Sequence, residues 1–160
     1  MKNKKKTSII IGIIILLCTC AIFCISAIKN NSRYKTTDDL FKGLTKAVNN
    51  TDQQAIIKCF PDFIQRSLPT LSNKSIEDFH NKVGDIHFNI IKQNSVESKD
   101  KENEINSKYN CNIKLEEYDL VVCKYHEGFS ETTFEVIKID GRWYLYYYSK
   151  LPEPIQYFVE

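Results

Sequence analysis

The sequence predicts an α+β protein: an N-terminal transmembrane helix, then three helices packed on a curved, four-stranded, mainly antiparallel sheet. Three observations predict it. Residues 7–28 hold no charged side chain. From Thr36 to Gly84 apolar residues recur at the three-and-four spacing of amphipathic helices, and beyond Gly84 the period shortens to the two of a strand. Asp140-Gly141 then stands between two alternating runs, the strongest short signal for a two-residue hairpin.

At about 1.5 Å per residue, the stretch Thr7 to Ile28 reaches about 33 Å, against roughly 30 Å of hydrocarbon core. Lys2, Lys4, Lys5 and Lys6 precede it and no acidic residue does, so the positive-inside rule leaves residues 1–6 cytoplasmic and residues 36–160 outside, as a single-pass protein of the cell membrane. Lys29 to Lys35 is the linker. Two other fates begin the same way. Leu17-Cys18-Thr19-Cys20 is an imperfect lipoprotein box with Cys20 as the residue that would be lipidated, and Ser26-Ala27 offers a signal peptidase its small residues. All three place the domain outside the cytoplasm.

Charge excludes one class of function. Without its first four lysines the chain's 22 basic residues fall to 18, against 20 acidic ones. Phosphate-backbone binding calls for a basic excess, so no nucleic acid is expected as a partner. The chain has room for one domain of ordinary size beyond the apolar segment.

Thr36 or Thr37 caps the first helix, with Asp38 and Asp39 in its first turn and Leu40, Phe41, Leu44, Ala47 and Val48 on one face. Asn49 and Asn50 end it. Thr51 with Gln54 predicts a capping box for a second helix, which faces Ala55, Ile56, Cys59 and Phe60 inward and stops at Pro61. Asp62 to Leu71 is a short helical turn plus loop. Ser72 or Asn73 opens the third helix, with Ile76, Phe79 and Val83 inward and Gly84 at its end. Ile86, Phe88 and Ile90 predict a strand running to Gln93. The charged run from Ser95 holds a short surface helix over Lys99 to Tyr109, read as solvated. Strands follow at Tyr118–His126, Phe129–Ile139 and Arg142–Tyr148.

If Asp140 and Gly141 form the whole turn, Ile139 pairs with Arg142. Phe134, Val136, Trp143, Leu145 and Tyr147 then share the face that meets the helices. Ile137, Ile139, Tyr144, Tyr146 and Tyr148 fall on the other, a face apolar enough to be a candidate partner or homodimer surface, although tyrosine also tolerates solvent on a strand.

The run Glu135-Val136-Ile137-Lys138-Ile139-Asp140-Gly141-Arg142-Trp143-Tyr144-Leu145, with the Thr51-Asp52-Gln53 helix start, resembles a group of membrane- or lipid-anchored domains of unknown function from Gram-positive bacteria. These are similar to the cone-shaped fold of the nuclear transport factor two and cystatin-like group. The resemblance covers Thr36 to Tyr148 and implies a fold and a location. It also implies a pocket at the wide end of the cone, where enzymes of this scaffold place an Asp or His base or a Tyr donor. No position here matches such a motif.

Chemistry-bearing residues are sparse. His80, His87 and His126 stand apart from one another and from any ligand-spaced cluster, so neither a metal nor another cofactor is expected. No glycine-rich phosphate loop or nucleophile elbow occurs. Cys59, Cys111 and Cys123 are odd in number. Cys111 and Cys123 flank the turn at Leu115–Tyr118 and are the pair a disulfide would join, while Cys59 reads as a buried small hydrophobe. Leu151-Pro152-Glu153-Pro154-Ile155 lacks the Thr-Gly and apolar tail of a sortase signal, and reads as a capping tail with Tyr157 and Phe158 against the sheet. The expected function is therefore a membrane-tethered, extracytoplasmic binding or interaction module for a protein or a small ligand. A pocket enzyme with an acidic or His base and a structural subunit of a membrane complex are the alternatives.

Overall fold

The computed structural model describes residues 34–147 and 150–160. The chain reads α1 (Thr37–Asn49), α2 (Gln53–Ile57), α3 (Asp62–Gln65), α4 (Asn73–Val83), β1 (Asn89–Val96), α5 (Lys99–Tyr109), β2 (Glu117–Lys124), β3 (Thr132–Ile139), β4 (Arg142–Leu145) and a 3-10 turn at Ile155–Phe158. The strands form one antiparallel sheet in the order β1-β2-β3-β4.

This corrects the expected architecture. Five α-helices replace three, and among the described residues no helix is long and apolar enough to cross a membrane. Residues 7–28, assigned above to a transmembrane helix, and Cys20 within them lie outside the described residues. The two helices beyond the expected three are the turn within Asp62–Leu71 and the surface helix at Lys99–Tyr109, both regular enough to count, and the second predicted helix is shorter than expected. Thr51 has a φ of 50°, its hydroxyl donates to the Asn50 carbonyl, and Asp52 takes over as the cap by accepting from Ala55 N–H at 2.9 Å. Helix α2 is then one turn long, and Pro61 starts α3 separately.

Helix α1 has a full capping box. The Thr36 hydroxyl accepts from Asp39 N–H and the Asp39 carboxylate accepts from Thr36 N–H, at 3.1 and 3.2 Å. Its buried face is Leu40, Phe41, Leu44, Ala47 and Val48. Phe41 meets Phe134 of β3 edge-on at 5.0 Å, and Phe88 meets both Phe134 and Tyr125. Val121 pairs with Phe134, Cys123 with Thr132 and Val136 with Leu145, so one face of the sheet closes on these rings.

Strand β1 begins at Asn89, three residues after the predicted start at Ile86. The Asn49 amide occupies both backbone groups of Ile86, donating to its C=O and accepting from its N–H at 3.0 Å each, and Phe88 N–H goes to the Thr45 hydroxyl. Helix α1 therefore holds that stretch as a connector beneath itself. At the other end of the sheet, Asp140 and Gly141 have φ of 50° and 70° and Ile139 pairs with Arg142, the geometry of a type I′ turn. The outer edge of β4 is covered, with Trp143 N–H donating to the Tyr34 carbonyl and Leu145 N–H to that of Cys59, both at 2.8 Å. The C-terminal turn packs on α4, and not on the sheet as predicted. Phe158 is buried edge-on against Phe79, while Tyr157 stacks on Phe79 and stays half exposed.

Phe134→Ala removes the ring common to two of these aromatic contacts and is expected to cost about 3–5 kcal/mol. Asn49→Ala strands the two Ile86 backbone groups, a loss of about 1–3 kcal/mol. Urea unfolding followed by tryptophan fluorescence gives both values, and equal, near-zero shifts would contradict this account of the core.

Candidate binding groove

The second face of the sheet is covered as well. Glu135 pairs with Leu120 and Ile137 with Tyr118 and Tyr144, which puts Tyr118, Leu120, Glu135, Ile137 and Tyr144 on one side. The candidate partner surface is corrected accordingly: Ile137 is 0% exposed, Tyr146 3% and Ile139 8%. Tyr144 is half-buried, and Tyr148 lies outside the described residues. The cover is α5, whose Ile105 is fully buried, together with the loop after it, where Leu115 is buried too. Asn106 fixes that loop by donating to the Ile113 carbonyl at 3.0 Å and accepting from Ile113 N–H at 2.8 Å, and the Glu102 carboxylate accepts from Leu115 N–H at 2.6 Å.

Polar contacts hold α5 down. The Lys101 ammonium lies 3.1 Å from Glu104 of its own helix and 3.7 Å from Glu135 of β3. It also stands over two rings, 5.0 Å from the centroid of Tyr118 and 5.3 Å from that of Tyr146. Tyr118 donates to Glu135 at 2.7 Å, and Tyr146 donates to Glu104 at 3.2 Å. The sequence Tyr118, Glu135, Lys101, Glu104, Tyr146 is thus a continuous chain of opposite charges and hydroxyl donors across four parts of the fold. At the far end of α5, Tyr109 donates to the Tyr147 carbonyl and Lys108 lies over the Tyr147 ring.

Burial is the first cause that raises the pKa of both tyrosines. The hydrogen bond to Glu135 adds to it for Tyr118, and the charge of Glu104 for Tyr146. Both phenols therefore act as donors at neutral pH and neither is a base.

Lys101, Glu104, Glu135 and Tyr146 of this network line a groove of about 770 Å³, with Tyr118 behind them. Its lining joins these side chains to residues 130–133 and 150–153, among them the carboxylates Glu131 and Glu153. Between the sheet and α1, Phe41, Phe88 and Phe134 pack on one another, each almost wholly buried.

The chain matches no family model, no curated protein and no solved structure. Its site must be read from geometry.

The disulfide expected between Cys111 and Cys123 is corrected: both are thiols. Strand alternation puts Cys123 on the face toward α1, fully buried, with its pKa pushed up to about 12 by burial. Cys111 follows α5 on the other face, and its thiol donates to Asn106 at 3.4 Å. The sheet lies between them. The histidines stay apart; His80 lies 3.8 Å from Asp85, and His126 contacts the Glu127 carbonyl. Among the described residues no group of three His, Cys, Asp or Glu side chains is placed to hold a metal ion.

Lys101, Glu104, Tyr118 and Glu135 did not stand out from the sequence, since the charged run reads as solvated. The signal was Glu135 itself, an acid in phase with Ile137 and Ile139 on a face that is otherwise apolar.

The raised phenol pKa values set a pH dependence. The unfolded chain ionises its tyrosines near pH 10 while Tyr118 and Tyr146 stay protonated in the fold, so their contribution is whole below about pH 10 and is lost as pH rises further. Unfolding free energy from urea titrations should fall by up to about 1.4 kcal/mol per pH unit for each such tyrosine above that point. Tyr118→Phe and Tyr146→Phe should each flatten the decline; an unchanged slope in both would disprove the assignment.

Proposed function

We propose that residues 34–160 are a non-enzymatic binding module that works outside the cytoplasm, attached to the membrane through residues 7–28, with the groove between residues 130–133 and 150–153 as its ligand site. The observation that carries this reading is the state of the groove floor. Every reactive group there is already engaged with another, as Glu104 and Glu135 each accept from a tyrosine and contact Lys101, and the two phenols are held protonated. Such a floor recognises charge and hydrogen-bonding shape but offers no poised base or nucleophile. The aromatic interior on the opposite face supports the same reading, because it is built of apolar rings packed on one another, Phe41, Phe88 and Phe134. The location follows from the lysines before residue 7 and the uncharged stretch after it.

The test is a fragment screen by NMR on the isotopically labelled full chain in detergent micelles, using small amines, carboxylates, sugars and capped tripeptides. Amide shifts should cluster at Thr132, Thr133, Glu135 and Leu151, with every compound recovered unchanged. Shifts that cluster instead between Phe79 and Tyr157, or chemical conversion of a compound, would overturn the proposal.

A further inference from the structure

The floor of the groove already holds an ammonium ion, contributed by the chain itself. Lys101 Nζ has two carboxylates within 3.7 Å and two tyrosine faces within 5.3 Å, and its side chain is 18% exposed. Aromatic faces with flanking carboxylates are the surroundings that bind alkylammonium groups, because the ring quadrupole and the counter-charge both replace water around the cation. The parts of this cage come from separate places: Tyr118 from β2, Glu135 from β3, Tyr146 from just beyond β4 and Glu104 from α5. Only Glu104 shares a helix with Lys101.

Three features make Lys101 a replaceable occupant. Its cage opens on a groove of about 770 Å³ that Tyr146, Glu104 and Glu135 line, so a ligand there meets one of the rings and both carboxylates, with Tyr118 behind them. The groove lining adds the carboxylates Glu131 and Glu153, which favour a cation, against Lys150 as the opposing charge. The first turn of α5, from which Lys101 projects, has no side-chain hydrogen bond at its cap, Ser98, and Glu102 ties the turn to Leu115 N–H whether or not Lys101 is in place. Lys108, the other cation of this helix near the site, lies over Tyr109 and Tyr147 instead.

We propose that Tyr118, Tyr146, Glu104 and Glu135 form a binding site for a primary alkylammonium group, with Lys101 as its built-in competitor. A ligand amine enters from the groove and takes the place of the Lys101 ammonium, which moves out to solvent. Lysine side chains of a polypeptide and small aliphatic diamines share this chemistry. The inference rests on the groove being the ligand site.

Lys101→Met keeps the length of the stem and removes the charge, leaving the cage without its resident cation. In the full chain in detergent, Lys101→Met should bind pentane-1,5-diamine or a capped Gly-Lys-Gly tripeptide at least tenfold more tightly than the unsubstituted protein. The Nε-acetylated tripeptide should show no gain, and adding Glu104→Gln and Glu135→Gln should abolish it. A gain for the tripeptide alone assigns a polypeptide as the source, and a gain for the diamine alone a small amine. No gain for either amine, or an equal gain for the acetylated control, overturns the proposal.

A second measurement does not depend on how the variants fold. The 15N signal of the Lys101 ammonium in the unsubstituted protein should move to a solvent-exposed position as either amine is added, and stay in place with the acetylated peptide. If it ignores both amines at tens of millimolar, Lys101 is a fixed structural cation and the ammonium site is excluded. The groove itself would survive that result if other fragments still shifted Thr132 and Thr133.

Discussion

The Lys101 ammonium, held between two carboxylates and two tyrosine rings, ties α5 to the sheet, and the cover of the sheet's second face draws on that contact. Strand β3 is apolar on both faces, with Phe134 and Val136 toward α1, and Ile137 and Ile139 away from it. A sheet can leave one face to water only if that face is polar, so the second face of this one needs a cover. The cover is α5, a helix with almost no apolar stripe beyond Ile105. Apolar burial alone cannot hold it. Cation–π contacts of about 0.5–2 kcal/mol each, with ion pairs that burial shields from solvent, take over the role that leucines play in an ordinary packed helix.

The same economy of apolar contact appears elsewhere. Asn49 on Ile86 and Asn106 on Ile113 each present a side-chain amide to both backbone groups of one residue, doing for a connector what a neighbouring strand does for a sheet. Buried backbone groups must be paired by something. Where the chain leaves regular structure beneath a helix, asparagine supplies the pairing. The edge of β4 is closed by the carbonyls of Tyr34 and Cys59, residues far apart in sequence. Tyr34 comes this close because position 43 of α1 is glycine; a Cβ there would run into the Tyr34 ring.

What could be seen in the sequence was whatever local rules determine. The inward face of α1 and the Asp140-Gly141 turn with its register depend on spacing and on two residues that accept positive φ, and both are as the spacing predicts. The errors lie where a distant partner decides. Ile86 and Phe88 alternate like a strand, yet Asn49 and Thr45 claim their backbone. Ile137 and Tyr146 look like an exposed face until α5 is laid on them, and in Lys99–Tyr109 Ile105 and Tyr109 are the only apolar residues that announce packing. The Cys111–Cys123 pairing failed for a related reason: proximity in the chain says nothing of which side of a sheet each residue takes.

These errors share a cause that bears on function. A helix fastened by charge is more easily exchanged than one fastened by a broad apolar stripe, because another charge can substitute for the one that holds it. The hidden face of the sheet and the site proposed for a ligand are built from the same residues. Tyr146 both bonds its backbone to β3 at Glu135 and forms a wall of the ammonium cage, and Glu104 both anchors α5 and lines the groove. Binding in the groove would therefore act on the docking of α5. A ligand that displaces Lys101 more readily than it restores the contacts of Lys101 loosens the helix; one that fills the cage as well as Lys101 does leaves it in place.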